Sequence, residues 1–194
     1  GGKEKLEKVN ALMTMGEAVL QGGAMTLNLV TIQAKPNKLS VMMLMMGNIM
    51  MKQVFNGEDG YIMQQGQKIP FPEEEKQKLI SSSLPFEELG WIDDENVTFS
   101  SVSEEDGSKQ YVLKIDDKTT VFFDAETGLK TKQVTMAPTP EGSISPQPTI
   151  YEEYRDVDGI LFPHLIKIPL GPQTLEFNTK EIQLNPAISD SDFN

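Results

Sequence analysis

The 194-residue sequence predicts a mainly β fold, one meandering antiparallel sheet with a few short helices. Three observations carry that expectation. From Thr14 onward, apolar and polar residues alternate at a period of two through most of the chain. The breaks between these runs are of hairpin length and rich in turn residues, as at Gly47-Asn48, Asn56-Gly57, Asp106-Gly107 and Glu126-Thr127-Gly128. Helical patterning is confined to the amino terminus and to a proline-bounded stretch near residue 75. A sheet with this many strands usually curls.

The elements follow in order. Residues 2–13 read as a short amphipathic helix whose apolar members are Leu6, Val9, Leu12 and Met13. Residues 14–21 and 24–34 form a hairpin around Gln21-Gly22-Gly23. In its second arm Met25, Leu27 and Leu29 alternate with Thr26, Asn28 and Val30. Pro36-Asn37 interrupts the pattern. The following stretch, residues 38–63, holds seven of the eleven methionines. Here Leu39, Val41, Met43 and Met45 point one way, while Met42, Leu44 and Met46 point the other. A half-buried strand needs one apolar face. Two such faces mean a strand covered on both sides, or one whose second face meets something other than protein. Methionine, unbranched and polarizable, suits either role.

Pro72 followed by Glu73-Glu74-Glu75 is a strong helix start, because proline fits the first turn and acids suit the positive dipole end. Ser81-Ser82-Ser83 and Pro85 end it, and Phe86, Leu89, Trp91 and Ile92 form a loose apolar tail. Such a helix between strands serves either as a lid or as a plug at one end of the sheet. Strands then resume at 97–103, 110–115, 119–124 and 129–136. Residues 137–147, rich in proline and glycine, read as a surface loop, and strands at 149–155, 161–170 and 174–184 complete the set.

Composition narrows function by exclusion. The net charge is −12 and the pI about 4.5, which disfavours nucleic acid and anionic headgroups as partners and favours a soluble monomer. The absence of cysteine excludes disulfides and thiolate metal sites. The one histidine, His164, stands beside Pro163 at a strand start and has no HExxH or GxSxG context. Neither phosphate-loop nor dinucleotide glycine pattern occurs, and the acidic runs lack calcium-loop spacing. The expectation is therefore a protein that is not an enzyme and needs no cofactor. The chain opens at Gly1-Gly2-Lys3 directly on a helical pattern, as expected of a sequence trimmed of a leader or cut from a longer protein. One domain over residues 1–194 suits the length.

Specific motifs appear late. Residues 151–168 read YEEYRDVDGILFPHLIKI and residues 177–194 read FNTKEIQLNPAISDSDFN. Together with the amino-terminal GGKEKLEKV and the Glu/Lys-rich helix near residue 75, they resemble the outer-membrane lipoprotein-sorting family, the LolA-like and LppX-like proteins of bacterial envelopes. The resemblance implies a curved, unclosed antiparallel sheet, a half-barrel, with short helices over its open side and an apolar cavity for acyl chains between them. It also implies a periplasmic or outer-membrane-associated location, with a lipid acyl chain, a lipoprotein or an envelope protein as partner. Tyr154, Asp158, Gly159, Phe162 and Pro163 match the signature and read as structural. The carriers of that family latch the lid with an arginine on an early strand. Here the only arginine is Arg155, and Lys35 and Lys38 are the nearest basic residues in the comparable region. Sequences similar to this one also occur as a non-catalytic carboxy-terminal tail of insulinase-type zinc peptidases, so an accessory or interaction domain is the alternative expectation. On the carrier reading, Met25, Leu27, Leu29, Val41, Met43, Met45, Met50 and Phe55 line the cavity, and Leu79, Ile80 and Phe86 belong to the lid.

Overall fold

The computed structural model describes residues 2–20, 26–64, 66–105, 107–138, 142–170 and 173–194. Helix α1 (Lys3–Glu7) leads into six strands: β1 (Ala11–Leu20), β2 (Thr26–Ala34), β3 (Lys38–Met45), β4 (Asn48–Phe55), β5 (Gly60–Gln64) and β6 (Gln67–Pro70). Two helices follow, α2 (Glu73–Ser83) and α3 (Glu88–Trp91). Seven more strands complete the chain: β7 (Thr98–Glu105), β8 (Ser108–Lys114), β9 (Thr119–Asp124), β10 (Lys130–Pro138), β11 (Ile144–Val157), β12 (Ile160–Leu170) and β13 (Gln173–Leu184). A 3-10 turn at Asp190–Phe193 ends it.

All thirteen strands form one antiparallel sheet in the order β6-β5-β4-β3-β2-β1-β13-β12-β11-β10-β9-β8-β7. Every pair of neighbours is consecutive in sequence except β1 and β13, which join two meandering wings along a central seam. The sheet does not close into a barrel, because β6 and β7 are its two edges. Those edges are successive strands, so the connection between them, residues 71–97, has to cross from one side of the half-barrel to the other. It carries α2 and α3, and we call it the strap.

Two elements differ from the sequence-based expectation. The amino-terminal helix stops at Glu7, and Ala11, Leu12 and Met13 are already strand, paired with Ala34, Gln33 and Ile32 of β2. Within 137–147, residues 137–138 and 144–147 are ladder rather than loop, since Met136 faces Pro146 and Pro138 faces Ile144, while 139–141 lie outside the described residues.

Strand parity defines two faces. On the inner face, Leu39 of β3 and Phe55 of β4 stand opposite each other and bury Leu79 of α2, with Val41, Phe71 and Ile80 around them. On the outer face, Ala11, Ile32 and Ala34 bury Phe193 of the carboxy-terminal turn, which Lys38 pins by an ion pair to Asp190 at 2.6 Å. At this end of the amino-terminal wing the sheet is thus covered on both sides. A third cluster, Val9, Leu12, Ile160 and Phe162 with Leu6 and Phe86, ties α1, the seam and the strap together.

The seam contains an irregularity that the sequence explains. Met15 pairs with Glu181 but Gly16 pairs with Thr179, which leaves Lys180 as the extra residue of a bulge in β13. A Cβ on Gly16 would lie 2.5 Å from the Asn178 carbonyl oxygen, so only glycine fits. Gly16→Val is expected to destabilise the fold by about 1–3 kcal/mol, measured by urea unfolding, because the clash is with backbone that cannot rotate away.

Candidate functional site

The inner face and the strap enclose a cavity of about 730 Å³. Its floor comes from both sides of the seam: Leu12, Thr14 and Gly16 of β1, Leu29, Thr31 and Gln33 of β2, Ile160, Phe162 and Ile166 of β12, and Phe177 and Ile182 of β13. Cross-strand register puts these side chains on one surface, since Leu29 faces Gly16, Ile182 faces Thr14, and Ile166 faces Phe177. Leu6 of α1 closes one end, and Ser81, Ser82, Leu84, Pro85 and Phe86 form the roof. The Phe86 ring packs against that of Phe162 with centroids 5.8 Å apart.

Polar fastenings hold the roof down on both wings. On the amino-terminal wing, the Gln33 side-chain amide donates to the carbonyls of Ser82 and Leu84 at 2.8 and 2.9 Å. These are carbonyls at the end of α2, where helical partners run out. On the other wing, Lys130 at the start of β10 places its ammonium 2.6 Å from Glu88 and 3.1 Å from Glu87. The same ammonium lies 4.7 Å from the centre of the Tyr151 ring and 5.7 Å from that of Trp91. The Tyr154 hydroxyl donates to the Lys130 carbonyl at 2.6 Å, which fixes the backbone from which this lysine projects. Burial disfavours the charged lysine, but Glu88, Tyr151 and Glu87 outweigh it and hold Lys130 above the ordinary lysine range. Burial also raises both phenols, Tyr154 to about 12, so each keeps its proton.

The residues expected from sequence to line the cavity fall into distinct places. Leu29 and Phe86 border it. Leu27 and Met43 are half-buried neighbours of Leu29 on the same face but outside the cavity, one along β2 and the other directly across on β3. Met45 is half-buried at the far end of β3. Met50, 45% exposed, is the extra residue of a bulge in β4, between the partners of Met43 and Leu44. Phe55 (1% exposed), Leu79, Ile80 and Val41 form the packed cluster beneath α2. Met25 lies outside the described residues.

Sequence reasoning passed over Lys130, Tyr151 and the inward set of β12 and β13. A partial signal existed, because Ile160, Phe162, Ile166 and Ile168 share one parity. His164 in that series engages the Phe162 carbonyl at 3.0 Å through Nδ1. Among the described residues no group of three His, Cys, Asp or Glu could hold a metal ion.

Known structures share this architecture. A LolA superfamily protein from Nitrosomonas europaea superposes with a TM-score of 0.65 at 12% identity, covering 96% of this chain and 90% of that one. A DUF1329 family protein from Desulfovibrio piger gives 0.67 at 10% identity, covering 98% and 92%. An outer membrane lipoprotein-sorting protein domain from Vibrio parahaemolyticus gives 0.63 at 11% identity, covering 95% and 89%. The chain has a LolA-like fold. No protein-family model and no curated protein matches the sequence. Likeness at this level of identity shows the backbone fold alone. Gln33 and Lys130 fasten the strap of this LolA-like chain without an arginine.

Proposed function

We propose that this protein is a carrier of the bacterial envelope that holds the acyl chain of a lipid or lipoprotein between its inner face and the strap, and works by binding and release rather than catalysis. The observation that carries this reading is a mainly apolar floor that spans the seam, with Leu29 and Leu12 on one side and Ile182, Phe162 and Ile166 on the other, under a roof held by hydrogen bonds and ion pairs. The volume, about 730 Å³, lies within the usual range for ligand sites. Each methylene withdrawn from water contributes about 0.8 kcal/mol, so a chain of about ten gives useful affinity after association costs. The lipoprotein-sorting name of one structural neighbour supports the envelope setting.

The direct test is native mass spectrometry of protein purified gently from an envelope-containing host, followed by lipid extraction. A stoichiometric co-purified acyl lipid is the expected result. Bare protein that also takes up no fluorescent fatty acid would support an accessory or interaction domain instead. Ile166→Glu supplies a second check. A charge on the cavity floor is expected to weaken uptake of an apolar probe at least about tenfold with circular dichroism unchanged, since the half-buried carboxylate keeps its hydration only by flooding the site.

A further inference from the structure

The polar groups bordering the cavity are not spread evenly. Glu87, Glu88, Lys130, Tyr151 and Tyr154 converge on the carboxy-terminal wing, beside α3, while the floor near Leu12, Leu29 and Ile182 carries Thr14, Thr31, Gln33, which is committed to the roof, and Glu17. The carboxy-terminal wing is the part of the lining where carboxylates cluster. The charge of that place is unbalanced. Two carboxylates share a single ammonium, one oxygen of each reaching Lys130. Both carboxylates are about one-third exposed, at 39% and 33%, so they remain in contact with the cavity and its mouth, whereas the Lys130 side chain is 13% exposed and enclosed by its partners. The Tyr154 hydroxyl is committed to a backbone carbonyl, and both phenols are neutral. The remaining acid at the cavity, Glu17, is matched by Lys180 at 3.2 Å. The surplus is one negative charge, beside the Lys130 ammonium that the Trp91 and Tyr151 rings flank.

Building on the carrier reading, we propose that the cavity selects amphiphiles whose polar end is an ammonium, seated against Glu87 and Glu88. A carboxylate or phosphate end would meet two like charges and would have to strip them from Lys130 to find a cation. An ammonium completes the charge balance without disturbing the ion pairs. The net charge of −12 acts in the same direction at long range, drawing cations and repelling anions.

The experiment compares three chain-matched ligands, dodecylammonium, dodecanol and dodecanoate. Each displaces neutral N-phenylnaphthylamine below its micelle threshold at fixed ionic strength and pH 7. Dodecylammonium is expected to bind about tenfold more tightly than dodecanoate, with dodecanol between them. In the Glu87→Gln/Glu88→Gln protein the ratio should fall to about threefold or less, because the carbonyl acceptors stay while the surplus charge goes. A control with the same change in net charge, Glu58→Gln/Glu104→Gln at exposed hairpin positions, should keep the full ratio. Should the first pair of substitutions unfold the chain around its buried lysine, Lys130→Met decides the matter. That variant enlarges the surplus and should keep or widen the preference, and a narrowed ratio overturns the proposal. Equal binding of all three ligands, tighter binding of dodecanoate, or a ratio indifferent to Glu87 and Glu88 also overturns it while leaving the carrier reading in place. Failure of all three ligands to displace the probe removes the carrier reading and this one with it.

Discussion

Phe55→Ala is expected to lower the unfolding free energy by about 3–5 kcal/mol, the range for emptying a fully buried aromatic site. The ring is 1% exposed and is held between Leu39 beside it and Leu79 above it. Its removal leaves a hole whose walls are strand backbone on one side and a helix on the other, and neither collapses easily. The same hole loosens the seat of α2, because Leu79 is the one side chain of that helix in the buried part of the cluster. Two readouts follow. Urea unfolding monitored by circular dichroism should show a lower midpoint with an unchanged slope. Proteolysis within residues 81–92 should accelerate under native conditions, as the strap opens more often. A loss below about 1 kcal/mol would mean that α2 is held by its ends and not by its apolar face.

Lys130→Met is expected to cost about 2–3 kcal/mol. Methionine preserves the length and packing of the aliphatic stem, so the loss isolates the charge. Full burial of the abandoned partners would place the cost higher, but Glu87 and Glu88 are exposed enough to regain water. The distinguishing signature is local. Trp91, the only tryptophan, sits in α3 beside this ammonium, so its emission should change together with the loss of stability. Lys130→Arg should recover little of it, since a planar guanidinium does not fit where a compact ammonium meets two separate carboxylates and a ring face. An unchanged midpoint in Lys130→Met would show that the carboxy-terminal fastening contributes nothing to stability.

The sheet was legible because alternation and turn chemistry agreed nearly everywhere along the chain. The failures are local and share a cause. Leu6, Val9, Leu12 and Met13 fit helical spacing well, yet Ala11–Met13 are strand because β2 and β13 flank them and their ladders outweigh a marginal short helix. The prolines at 138, 146 and 148 resemble loop punctuation, but the β10–β11 ladder runs on through them. For the site, parity on β2 and β3 grouped Leu27, Leu29, Val41 and Met43 on one face. It did not show how far along that face the helices reach. That limit is set by Leu39, Phe55 and Leu79, which meet from three separate elements. Lys130 was invisible for a plainer reason. Its partners lie 42 and 43 residues earlier, and nothing in its immediate sequence announces them.

The order of the strands also has a consequence in time. Eleven of the twelve neighbouring pairs in the sheet join consecutive strands, each hairpin closing a short loop, and so both wings can form early. The exception is β1, whose partner β13 is the last strand of the sheet, so during synthesis the first strand waits for nearly the whole chain to emerge. The floor of the cavity straddles that pairing. Without β13 the two wings therefore share no floor, and the cavity between them arrives only with that strand.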